Sequence, residues 1–260
     1  MRADGLRRPR TRRRIGIIAG SGPEAGIDLW TKVLAANRAR FGESYAGDVD
    51  APDVTVVSLP MLGHSMELDR NDAIVWSSLR EALQRIEGQV DLFAIACNTL
   101  HHYEPDILAL GLRPRFVSAV AAAIRFVRRN RLASVALLGS RPVMELGAWS
   151  PYAPLRAHAR VEVPEDTAAL HDLIYAVKEA GGRTPELDRR FAGIVAGIGP
   201  EVCLLACTEL PLLQPACPGK RLVDVTALLA ADLVALAADG DGAEAEEGMP
   251  RASGRRAVPS

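Results

Sequence analysis

Two segments of the chain hold residues able to move a proton on and off carbon. Ala96-Cys97-Asn98-Thr99 and Ala206-Cys207-Thr208-Glu209 each put a cysteine at the end of an apolar run, with a threonine within two residues and a proline eight residues beyond the cysteine. A thiolate is a competent base near neutral pH and a thiol a competent acid. A helix N-terminus behind either sulfur is expected to lower its reference pKa of about 8.5 toward 7. Inverting a carbon stereocentre needs a base on one face and an acid on the other, and two copies of one half-site supply that geometry. A lone cysteine in a strand is ordinarily a small buried hydrophobe; matched placement in two repeats lifts Cys97 and Cys207 above that reading. Cys203 has no counterpart in the first repeat and reads as core, and Cys217, between Ala216 and Pro218, as a surface thiol. Cys203, Cys207 and Cys217 are spaced C-x3-C-x9-C with no histidine close by. That is a poor match to zinc patterns, and no metal is expected.

The elements that must position these residues alternate along the chain. Apolar runs at 14–20, 53–59, 91–97, 134–140 and 201–207 have the continuous hydrophobicity of buried parallel strands. Amphipathic or alanine-rich stretches between them, such as 27–41, 73–87, 119–129 and 168–180, have helical character. Such alternation predicts parallel sheets with crossover helices. The halves also echo one another: IGIIAGSGPEAG near the start resembles VALLGSRPVMELG at 135–147, and FAIACNTLHHYEP at 93–105 resembles CLLACTELPLLQP at 203–215. Short apolar segments at 116–120 and 222–226 then each lead into a helix. The fold class expected is α/β, a duplicated unit with largely parallel sheets; if the two halves pack face to face, each would present its cysteine to a shared cleft. The turn Gly20–Gly26 could hold a dinucleotide phosphate, but the second strand ends without an acidic residue for a ribose. Its backbone N–H groups suit a substrate carboxylate instead.

Of the 260 residues 48% are hydrophobic and 5% aromatic, which fits an α/β protein with an aliphatic core. A net charge of −1 gives no reason to expect nucleic acid, and no apolar stretch approaches the roughly 18 residues of a membrane helix. Cytoplasmic residence is expected, since the apolar run after the basic leader is broken at once by Gly22, Pro23, Glu24 and Asp28. Seven arginines fall between Arg2 and Arg14, and the segment from Asp239 to Glu247 is acidic. Both ends are read as disordered tails without a catalytic role. With only Lys32, Lys178 and Lys220 available, a Schiff-base cofactor has few anchors.

GSGPEAG at 20–26, ACNTLHH at 96–102, GSRPVME at 139–145, HDLIY at 171–175 and ACTELP at 206–211 together resemble the aspartate/glutamate racemase superfamily, nearest its aspartate racemase branch, over about residues 14–236. The resemblance implies cofactor-independent racemisation of an amino acid, aspartate and/or glutamate, with Cys97 and Cys207 as the acid/base pair. Asn98, Thr99 and Thr208 would bind the substrate's carboxylate or amino group, Ser21 and its mirror Ser140 would line the cleft ends, and Ser58 would be a lesser contact. Lys178 would either meet a distal carboxylate or be a solvated helix lysine; Glu209 would either orient the Cys207 region or cap a helix. His101, His102 and His171 read as structural or surface residues. The fold implied is two similar three-layer αβα domains with largely parallel sheets, pseudo-twofold related with the active site between them: 14–118 plus about 222–236, and 119–221, between a leader (1–13) and a tail (237–260). The partner implied is a small amino-acid substrate, and similar proteins are commonly homodimers. Fold-sharing lyases or isomerases acting on another carboxylic acid, and non-catalytic ligand-binding relatives, are the alternatives. Gly20-Ser21-Gly22-Pro23 stands where members often have Gly-Met-Gly-Pro, and Val143 where they often have Thr, differences that bear on substrate choice.

Overall fold

The computed structural model describes residues 13–238, so the expectations for the leader and the tail fall almost wholly outside the described residues. The first half runs β1 (Ile15–Ala19), α1 (Pro23–Phe41), β2 (Val54–Ser58), α2 (Leu68–Ile86), β3 (Leu92–Ile95), α3 (Glu104–Ala109), β4 (Arg115–Phe116) and α4 (Ala119–Arg129). The second runs β5 (Ser134–Gly139), α5 (Arg141–Met144), β6 (Arg160–Glu162), α6 (Thr167–Ala180), α7 (Pro185–Ala196), β7 (Val202–Ala206), β8 (Arg221–Asp224) and α8 (Val225–Ala238).

Each half forms a four-stranded sheet, all parallel, in orders β2-β1-β3-β4 and β6-β5-β7-β8. The two orders are the same, as the sequence duplication requires. The central strands are the continuous apolar runs: every residue of β1, β3 and β7 is buried. Burying one such aliphatic side chain contributes about 1.5–3 kcal/mol, which the edge strands β4 and β6, both partly exposed, do not match. The helices start where local chemistry fixes them. Ser118 accepts a hydrogen bond from the Ala121 N–H, Asp166 from Ala169 and Thr184 from Leu187, the last with Pro185 as first helical residue.

The second sheet's last strand hands the chain to α8, which lies against α1 and α4 of the first half. One apolar cluster therefore runs through both halves, joining Ile15, Leu29 and Leu92 to Leu137, Leu204, Val223 and Leu233. No helix among the described residues is long and apolar enough to cross a membrane.

Candidate active site

In a sheet of order 2-1-3-4 the chain leaves the first strand toward one edge and returns for the third on the other side. The crevice beyond the carboxyl ends of those two strands is where ligands sit in such sheets. In the first half that crevice lies between the ends of β1 and β3, and the residues there are Ser21 and Cys97-Asn98-Thr99. In the second it lies between β5 and β7, with Ser140 and Cys207-Thr208-Glu209. All eight side chains are buried.

These residues are brought together across the halves. Thr99 and Ser140 share a hydrogen bond of 2.8 Å between their hydroxyls. Lys178, on α6 of the second half, donates to the Ser21 carbonyl at 3.0 Å and ion-pairs with Glu209 at 2.6 Å. Glu209 also accepts from the Cys207 thiol and from the Thr208 hydroxyl, each at 3.0 Å. On the other side Ser21 and Ser65 are joined hydroxyl to hydroxyl at 2.7 Å, and the Ser65 hydroxyl lies 3.6 Å from the Cys97 sulfur. A chain of contacts thus leads from one sulfur to the other: Cys97, Ser65, Ser21, Lys178, Glu209, Cys207. Ser58 stands apart from it, exposed at the end of edge strand β2.

Two residues that sequence reasoning passed over complete the arrangement. Ser65 lies on the 3-10 helix Pro60–Glu67 ahead of α2, where its hydroxyl meets both Ser21 and Cys97. Tyr152, fully buried, donates to Asn98 Oδ1 at 2.5 Å from the opposite half. A serine turn delivers it, with the Ser150 hydroxyl donating to the Val143 carbonyl and accepting from the Tyr152 N–H. Burial, and then the neighbouring Cys207 and Cys97, push the Tyr152 phenol well above its ordinary range, so it remains a donor. Both sulfurs lie within electrostatic reach of the Tyr152 hydroxyl, and both also act on the Lys178 ammonium. Both cysteines therefore lie near Tyr152 and Lys178.

The charges of the site are unequal. Burial, reinforced by the Glu209 carboxylate, raises Cys207 well above its ordinary value, and Lys178 offsets this only in part. The lowering expected from a helix N-terminus is not met at Cys207: only the three-residue 3-10 turn Leu210–Leu212 follows the strand, and burial, then Glu209, raise the thiol. Burial works against the Lys178 charge, but Glu209 and the nearby sulfurs outweigh it and hold the ammonium above its usual value. His101 is a strut: its Nε2 accepts from the Ala119 N–H, so Nδ1 carries the proton and donates to the Cys97 carbonyl at 3.0 Å. Burial lowers it to about 4, so it stays neutral.

A second set of contacts clasps the halves beside the site. Glu67, just before α2, receives Arg141 at 2.6 Å and His171 Nε2 at 3.0 Å, while His171 Nδ1 accepts from the Arg141 N–H. The four cysteines are free thiols, and among the described residues no group of three or more His, Cys, Asp and Glu converges as metal ligands.

With this geometry in hand, comparison with known proteins identifies its kind. The chain is 25% identical to the broad specificity amino-acid racemase RacX of Bacillus subtilis (strain 168) over 167 residues, 64% of this chain and 71% of that one. Its fold matches the aspartate racemase of Picrophilus torridus with a TM-score of 0.72 at 20% identity, over 86% of this chain and 94% of the other. It also matches an aspartate racemase homologue from Pyrococcus horikoshii OT3 with a TM-score of 0.64 at 23% identity, over 87% and 99%. Residues 18–233 match the sequence pattern of one family along nearly the whole described fold, and the chain belongs to that family, the Asp/Glu/hydantoin racemases.

Proposed function

We propose that the protein racemises a free α-amino acid by proton transfer between the substrate α-carbon and two cysteines, without a cofactor. The observation that carries this reading is the placement of one sulfur at the end of β3 and one at the end of β7, in two sheets of identical strand order, with Tyr152 and Lys178 sensing both. One thiolate takes the α-proton, forming an S–H bond as the C–H bond breaks and leaving a carbanion delocalised into the carboxylate. The opposite thiol delivers its proton to the other face. Asn98, Thr99, Ser140 and Thr208 supply the hydrogen-bonding groups that would hold the carboxylate and amino group during the exchange.

The roles of the two sulfurs start out different. Cys207, donating to Glu209, rests as a thiol and is poised as the acid. For the enantiomer whose α-proton faces Cys97, Cys207 thus already holds the proton it must deliver. Ser140 with Thr99, and Tyr152 with Asn98, satisfy one another across the halves. Admission of substrate would require these pairs to exchange partners. The preference for aspartate and/or glutamate that the resemblance implies rests on Lys178 receiving a distal carboxylate.

Incubation of the protein with a panel of L-amino acids in D2O, followed by NMR of the α-proton and chiral chromatography, tests the reading. Racemisation with one solvent deuteron incorporated per inversion is expected. Cys97→Ser and Cys207→Ser should each lower racemisation by at least about 10²–10⁴-fold, whereas Cys203→Ser should not. Racemisation that persists in either of the first two variants would remove that sulfur from the mechanism.

A further inference from the structure

The charge arrangement around Lys178 says more about the substrate than that it is an amino acid. We infer that, if the protein is the racemase proposed above, its substrate's side chain carries no carboxylate, so that aspartate and glutamate are disfavoured against their uncharged isosteres.

Among the described residues no lysine or arginine is buried; the cation that reaches the site is Lys178, whose side chain is 21% exposed. That cation is already used. Its ammonium lies 2.6 Å from a carboxylate only 6% exposed and donates to the Ser21 carbonyl. A distal carboxylate reaching Lys178 would have to share the ammonium with Glu209, and repulsion between the two carboxylates would offset part of the attraction. The cost of stripping water from the incoming charge would remain.

The rest of the neighbourhood pushes the same way. Arg141, adjacent to Ser140, is shared among three carboxylates, Glu67, Asp69 and Glu145. Glu24 lines the same small cavity as Lys178 and Glu209. An uncharged side chain avoids the repulsion from Glu209 and asks nothing of Lys178, which is left to hold Glu209 and, through it, Cys207.

The test compares isosteres, so that side-chain size is held constant. For the wild-type protein, kcat/KM for α-proton exchange should be at least tenfold higher with asparagine than with aspartate, and likewise with glutamine than with glutamate. In Glu209→Gln the Lys178 charge is released, and the aspartate-to-asparagine ratio should rise at least tenfold. The ratio is read within one variant, so a general loss of activity through the Cys207 contact does not obscure it. Should that variant be too slow to assay, the same ratio is taken from protection of the active-site cysteines against iodoacetamide by aspartate and by asparagine. Aspartate outperforming asparagine in the wild type, or an unchanged ratio in Glu209→Gln, would overturn the inference while leaving the racemase reading intact. Absence of exchange with every amino acid in the panel would overturn both.

Discussion

Replacing Lys178 by methionine keeps the length of the side chain and removes its charge, leaving Glu209 buried beside Cys207 without a cation. At an effective dielectric constant of about 20, two unit charges some 3 Å apart attract by about 5 kcal/mol. Desolvation of both partners consumes much of that in the intact pair. Removing one partner is different, because the surviving charge keeps its desolvation cost and loses its compensation, a loss of about 3–5 kcal/mol for buried pairs. The ammonium's partial exposure places Lys178→Met near the low end, about 3 kcal/mol. For a chain of this size that corresponds to a fall in Tm of roughly 6–12 °C. The loss should be larger at pH 8 than at pH 5, where an unpaired carboxylate can take up a proton. Removing the carboxylate as well, in Lys178→Met/Glu209→Leu, should recover most of the stability, since a well-packed apolar pair replaces a buried ionic one at little cost. Thermal melts of wild type, both single variants and the double variant close the cycle. A Lys178→Met protein that melts within about 2 °C of wild type, or a double variant no more stable than the single, would show that the pair is not a buried, mutually dependent unit.

Tyr152→Phe strips Asn98 Oδ1 of its 2.5 Å donor in a fully buried setting, and urea denaturation should show a loss of about 1–3 kcal/mol. Gly22→Ala meets two obstacles: a φ of +103°, and a Cβ 2.6 Å from Glu209 Oε1 and 3.1 Å from Lys178 Nζ. Gly47→Ala shares only the first, with φ +90° and nothing within 4 Å, so the melting temperature should fall further for Gly22→Ala than for this control. At Glu67, burial opposes the charge but hydrogen bonds from His171 and Arg141 outweigh it and hold the carboxyl below its usual range. A carboxyl depressed in the folded state adds stability above its unfolded pKa of about 4.3 that is lost as pH falls through the folded value. Glu67→Gln should therefore flatten the acid limb of the stability profile below about pH 4.5.

The parts of this molecule legible in its sequence are those where one physical rule acts alone. A strand buried on both faces must be apolar throughout, and so β1, β3, β5 and β7 stand out as unbroken runs. The duplicated cysteine motifs are legible because two copies of one α/β unit repeat the same strand-end chemistry. Strand β6 is three residues on a partly exposed edge, and no apolar run marks it. Helix α7 has its Thr184-Pro185 start, but the glycines just before it blur the boundary with α6. Ser65 and Tyr152 sit outside the strands and α-helices, and each matters only because the fold carries it to a residue tens of positions away. The pairing of Lys178 with Glu209 is of the same kind: the two lie on α6 and after β7, and no local periodicity links them. Sequence alone left Lys178 divided between a carboxylate receptor and a solvated lysine, while the structure gives it a carboxylate of its own.

The duplication and the divergence between the halves have separable consequences. Identical strand orders put a cysteine at the end of the third strand of each sheet, and in the proposed mechanism these two sulfurs serve the two faces of the substrate carbon. Yet Cys97 has a neutral hydroxyl for its neighbour, and Cys207 a carboxylate. The two enantiomers of a free amino acid in water have equal free energies, so kcat/KM must be the same in both directions whatever the sulfurs' surroundings. The asymmetry can only be divided between kcat and KM. Holding Cys207 as a thiol favours the form of the enzyme that accepts the enantiomer whose α-proton faces Cys97. That enantiomer should show the lower KM and, in compensation, the lower kcat. Glu209→Gln lifts the negative charge from beside Cys207 and should draw the two KM values together. Progress curves started from each pure enantiomer supply all four constants, and equal KM values in the wild type would mean that Glu209 does not bias the resting protonation of the pair.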